Sequence, residues 1–91
     1  MIGFRFTLHA REKLRKELHK FGIDENVVIQ TILSPDELLT NTKTKRFVAV
    51  NYSRKIAVIY ETNSEVLIIT IVYSSILDKI VKRRKKSGRW I

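Results

Sequence analysis

Apolar residues recur at helical spacing over the first third of the chain and at alternate positions over most of the rest. Ala10, Leu14, Leu18 and Phe21 stand at i, i+4, i+8 and i+11, which predicts one buried stripe on a helix. Thr7 is placed to cap its N-terminus and Gly22 to close it, and its other faces carry Arg11, Lys13, Arg15, Lys16 and Lys20. Asp24 is the expected cap of a second helix, with Val27, Val28, Ile32 and Leu33 as its buried side. Ser34-Pro35 stops that helix, because a residue before proline avoids the α region.

From Glu37 onward the period is two. Strands are expected over 38–42, 45–52, 55–62 and 65–74, the last three rich in Val, Ile and Tyr. Two-residue connections, Ser53-Arg54 and Asn63-Ser64, fold these strands into an antiparallel meander. Ile56, Val58 and Tyr60 fall on one face, Ala57 and Ile59 on the other, so both faces need cover. The N-terminal helices take one face; the other takes either the C-terminal helix or a second subunit, which would make a homodimer. Ser75-Ile76-Leu77-Asp78 opens that helix in the manner of a capping box, Ile76, Leu77, Ile80 and Val81 form its apolar side, and Gly88 ends it. The expected fold is α+β: two N-terminal helices, a four-stranded antiparallel sheet and a basic C-terminal helix.

A chain of 91 residues holds one domain, 1–91. With no cysteine, disulfides and thiolate metal sites are excluded. The apolar stretch 66–73 is broken by Thr70 and far short of the roughly 20 residues of a membrane span. The first residues lack the apolar run of a signal peptide, so a cytoplasmic protein is expected, away from membranes. Charge changes the picture most. Eighteen Lys and Arg against nine Asp and Glu give +9. Seven of the basic residues (Lys79, Lys82, Arg83, Arg84, Lys85, Lys86 and Arg89) fall in 79–91 with no acid among them, whereas 23–42 carries Asp24, Glu25, Asp36 and Glu37 and no base. A surface polarised this way attracts phosphates and releases their counterions. RNA is the expected partner. Phosphate-binding glycine loops, His-Glu-x-x-His and acidic clusters are absent from the sequence, so no cofactor or metal is expected.

Four short runs, taken in order, carry a likeness. Phe6-Thr7-Leu8-His9-Ala10-Arg11-Glu12-Lys13-Leu14, then Phe21-Gly22-Ile23, Ser34-Pro35-Asp36 and Ile69-Thr70-Ile71-Val72-Tyr73, resemble a small prokaryotic family of unknown function. That family is similar to the RelE and BrnT toxins, in the fold superfamily of barnase-like and RelE-like RNA-cleaving domains. The likeness spans 6–75. Lys13 and Phe21 stand where that family carries arginines. The resemblance implies a RelE-like, metal-independent ribonuclease of toxin type, acting on RNA in association with the ribosome and held in check by an acidic antitoxin. The rival expectation is a non-catalytic nucleic-acid-binding module, or a dimeric interaction subunit, of the same fold.

Metal-free cleavage of RNA needs a base for the 2′-hydroxyl, cations for the phosphorane and an acid for the leaving 5′-oxygen. Histidine moves protons near neutrality, and His9 is the histidine within the motif; its plainer role is a hydrogen bond to a neighbouring strand. Lys13 supplies charge, and Tyr73 is a candidate for phosphate contact or acid catalysis, or else a buried ring with its hydroxyl at the sheet rim. Arg11, Arg46 and the basic tail 82–91, with Lys82, Arg83, Arg84, Lys85, Lys86 and Arg89, are the expected nucleic-acid contacts. Tyr52 and Tyr60 are read as core or as stacking platforms, Trp90 as stacking on a base or docking on the core, and His19 and Arg54 as solvated.

Overall fold

The computed structural model describes residues 3–91. A short strand β1 (Phe4–Phe6) leads into helix α1 (Leu8–Lys13), which runs on through a π-helical turn (Leu14–Leu18) and a 3-10 turn (His19–Phe21). Helix α2 (Glu25–Leu33) comes next, then strands β2 (Glu37–Thr40), β3 (Phe47–Asn51), β4 (Ile56–Asn63) and β5 (Glu65–Tyr73), and helix α3 (Leu77–Lys86). Among the described residues no helix is long and apolar enough to cross a membrane.

The fold is α+β, and the meander β2–β5 is antiparallel throughout. The sheet nevertheless has five strands in the order β1-β5-β4-β3-β2, and it is mixed, because β1 pairs with β5 in parallel, Phe4 opposite Val66 and Phe6 opposite Ile68. The expected four-stranded antiparallel sheet is therefore corrected by one edge strand. Three residues are too few for an alternating pattern to declare itself, and their partner lies some sixty positions away.

Local signals hold where the decision is local. Thr7 Oγ1 accepts from Ala10 N at 3.1 Å and Asp24 Oδ1 from Val27 N at 2.9 Å, and Gly22 closes the first helix at φ 75°. The π turn changes the stripe. Its extra residue rotates the rest of the helix by about 100°, so Ala10, Leu14 and Leu18 are buried, Phe21 is 44% exposed, and Ile23 takes its place in the core. On α2, Leu33 faces outward and Thr31 is buried instead. The threonine hydroxyl donates to Val27 O at 2.8 Å and accepts from Asn51 Nδ2 at 3.0 Å, so its burial leaves no polar atom unpaired.

Both faces of the sheet are covered. Leu14, Leu18, Ile23 and Val28 pack on Ile56, Val58, Ile68 and Ile71; on the other side Leu77, Val81 and Trp90 pack on Leu39, Val48, Val50 and Ala57. Helix α3 thus occupies the face considered for a second copy. Its start differs from the capping box expected: Ile76 is the cap residue and makes no side-chain cap bond, while its N–H donates to Ser74 Oγ at 3.2 Å. Residues 82–91 are not a loose tail. Trp90 is 4% exposed and bridges to Asn41, and Thr40 and Ile91 exchange backbone hydrogen bonds of 2.9 and 3.0 Å.

Candidate nucleic-acid interface

Strand β1 ends opposite Ile68, which leaves the second half of β5 without a strand on that side. Thr7 fixes the exit: its N–H donates to Ile68 O at 3.0 Å and its hydroxyl to Ile69 O at 2.9 Å. Helix α1 therefore departs along the bare edge of β5, and His9 Nε2 comes to 3.1 Å from Thr70 Oγ1. Lys13 stands at i+4 on the same helical face. His9, Lys13 and Lys16 line a shallow depression of about 410 Å³ with Glu12 and Glu17. Lys13 and Glu17 also line its neighbour, about 310 Å³, with Leu18, Lys20, Phe21, Val72 and Tyr73. Of the three residues singled out for chemistry, His9 and Lys13 thus share one depression, and Lys13 and Tyr73 the next.

An aromatic pair marks its far end. Phe21 stacks on Tyr73 with ring centroids 4.1 Å apart and planes 11° from parallel. Lys20 Nζ stands 5.3 Å from the Phe21 centroid. Arg54 reaches back from the β3–β4 turn, its Nη1 3.6 Å from where a side chain on Gly22 would begin. The apolar stripe predicted a buried Phe21, because the π turn leaves no local mark in the sequence; Arg54 is exposed, as the hairpin turn predicted.

The remaining basic residues divide. Arg11 turns away, bound to Glu25 at 3.0 Å and lying 5.6 Å over the Phe6 ring. Arg46 is held by Glu61 at 2.8 Å, Lys85 is paired with Glu37, and Arg84 lies 5.5 Å over Trp90. Lys82, Arg83, Lys86 and Arg89 are exposed or half-buried, with no carboxylate within 4.0 Å among the described residues. Arg83 stands two residues from the buried Val81, about 160° around α3, so it points away from the sheet face that the helix covers. By alternation with Ile71 and Tyr73, which pack with the N-terminal helices, Thr70 belongs to that same α3 face.

Tyr60 is buried and Tyr52 half-buried. The Tyr52 phenol donates to Glu37, and burial, then that bond and the carboxylate charge, push it up to about 12. Tyr60 packs 5.5 Å from Phe47, and burial raises it also. Among the described residues no three His, Asp or Glu side chains converge as a metal site would require. Comparison with family models, with curated proteins and with solved structures finds no match.

Proposed function

We propose that this chain is a RelE-like ribonuclease of toxin type that binds RNA along the bare edge of β5 and cleaves it without a metal ion. The reading is carried by one observation: His9, seated 3.1 Å from Thr70, shares its depression with Lys13 and Lys16. With Nε2–H donating to Thr70, the imidazole keeps Nδ1 free as the base. Nδ1 takes the 2′-hydroxyl proton, the freed oxygen attacks phosphorus, and the bond to the 5′-oxygen breaks. Lys13 stabilises the phosphorane and hands a proton to the departing oxygen, leaving a cyclic phosphate.

Tyr73 has a different part in this scheme. It lies three residues beyond Thr70, about 10 Å along the strand, too far to serve the same phosphate, so it contacts RNA beside the cut. Lys82, Arg83, Lys86 and Arg89 add phosphate contacts from α3, and an acidic antitoxin would mask these same cations. Ribosome association belongs with the same reading.

A second reading, an RNA-binding module without catalysis, is favoured by the exposure of His9 and by its orienting partner: a neutral hydroxyl, where a catalytic imidazole is usually backed by a charged group. Labelled RNA incubated in EDTA with wild type and with His9→Ala separates the two. Catalysis predicts cleavage by wild type and a loss of roughly 10²–10⁴-fold in the variant, with RNA affinity kept. Undiminished cleavage by His9→Ala removes the histidine from the mechanism; tight binding without cleavage by either protein establishes the module.

A further inference from the structure

We infer that the Phe21–Tyr73 stack is a seat for an unpaired nucleobase, so that the RNA taken at the edge of β5 is single-stranded; the inference rests on the RNA-binding reading and names its substrate class. Phe21 is 44% exposed at the end of a helix whose other apolar stripe residues are buried. Its position is nevertheless fixed: it closes a 3-10 turn, Gly22 reverses the chain at φ 75°, and Tyr73 backs one ring face at 4.1 Å. Two nearly parallel rings form a rigid platform that takes a third once the flexible Lys20 side chain moves aside, and stacking is the contact that every nucleobase can make.

The surroundings choose the ligand. Lys13, Lys20 and Arg54 border the platform, and none has a carboxylate within 4.0 Å among the described residues. Glu17 lines the same depression; an aromatic plate bordered by three unpaired cations and that one carboxylate suits a base joined to phosphates, where an apolar peptide side chain would leave most of the charge unanswered. Lys20 now covers the outer face of Phe21 from a flexible stem. An arriving base displaces the ammonium towards the adjoining phosphate. Duplex RNA buries its base faces within the helix and cannot use this seat.

The test measures dissociation constants of the full chain for a short single-stranded RNA, an abasic oligonucleotide of equal length and an RNA hairpin stem. Wild type should prefer the single strand over the abasic chain by roughly five- to a hundredfold, the usual worth of one stacked base. Phe21→Leu keeps an apolar side chain without a plane; it should erase that preference while leaving abasic affinity and melting temperature as in wild type. Phe21→Trp should keep the preference, and its indole fluorescence should fall when RNA binds, Trp90 being 4% exposed. Single-strand affinity of Phe21→Leu within twofold of wild type overturns the seat, as does an equal loss for both oligonucleotides or a Phe21→Trp signal indifferent to RNA. Failure of wild type to bind either oligonucleotide is a different result, and it removes the RNA-binding reading along with the seat.

Discussion

Tyr52, in the turn that follows β3, donates its phenolic hydrogen to Oε2 of Glu37 in β2, while the other oxygen of that carboxylate receives Lys85 from α3. Three elements are tied through one carboxylate. The same arrangement explains why a lysine from the basic helix is not free for RNA.

This tie makes stability depend on pH in a definable window. Burial, the Glu37 bond and the charges of Glu37, Asp36 and Asp78 raise Tyr52 from 10.0 to about 12. Below pH 10 the phenol is protonated folded or unfolded, so its contribution is intact. Between 10 and 12 the unfolded chain ionises first, and stability is lost as pH rises. Glu37 acts in the opposite sense: the Lys85 hydrogen bond, then that of Tyr52, holds its carboxyl below 4.5, so stability falls as pH drops through the folded value. Melting curves across pH should show a flatter alkaline limb for Tyr52→Phe and a flatter acid limb for Glu37→Gln. Limbs parallel to wild type would show that the tie carries no such linkage.

The C-terminus should prove to be part of the fold. Trp90 is packed in the second core with Leu77 and Val81, so Trp90→Ala should cost about 3–5 kcal/mol, comparable with about 2–5 kcal/mol for Leu14→Ala on the opposite face. Ending the chain after Val81 removes both the indole and the Thr40–Ile91 pairing, and should abolish cooperative unfolding in urea. A truncated chain with the wild-type midpoint would place the core elsewhere. The basic terminus is therefore tested by neutralising charges and not by deletion.

What was legible in the sequence was what neighbours in the sequence decide. Thr7, Asp24 and Gly22 take their capping roles within three residues of their partners, and the alternation of β3–β5 comes from their own side chains. Strand β1 depends on a partner near position 66, and the π turn on how Leu14 and Leu18 settle against the sheet; neither has a sequence signature. His9, Lys13 and Tyr73 stand out by residue type, and the structure sets His9 with Lys13 in one depression and Lys13 with Tyr73 in the next. Charge was legible only in bulk. Arg11, Arg46 and Lys85 are spoken for by Glu25, Glu61 and Glu37, acids 14, 15 and 48 positions distant, which a count of cations does not reveal.

That division predicts which cations set the salt dependence of RNA binding. Each phosphate contact to a single strand contributes about 0.7 to the slope of log affinity against log salt. Glutamine at Lys13, Lys82, Arg83 or Lys86 should lower the slope by up to that amount, whereas Arg46→Gln should leave it unchanged, its guanidinium being held by Glu61. Equal changes at Arg46 and Lys13 would mean that the ion pair opens on binding.

The bond between His9 and Thr70 predicts a split between binding and chemistry. If Nε2–H donates to Thr70 Oγ1 across their 3.1 Å, the hydroxyl aims Nδ1 at the substrate without touching RNA itself. Thr70→Val keeps the shape and suits a half-buried strand position, so the melting temperature should hold. What is lost is one hydrogen bond, worth about 0.5–1.5 kcal/mol and hence roughly two- to tenfold. The loss should appear in kcat with KM unchanged, because it is felt as the proton is taken and not as RNA docks. Thr70→Ser restores the hydroxyl and should restore the rate. A valine variant that cleaves at the wild-type rate would show that the hydroxyl does not position the ring. A rise in KM with kcat unchanged would instead make Thr70 part of the binding surface, and His9 with it.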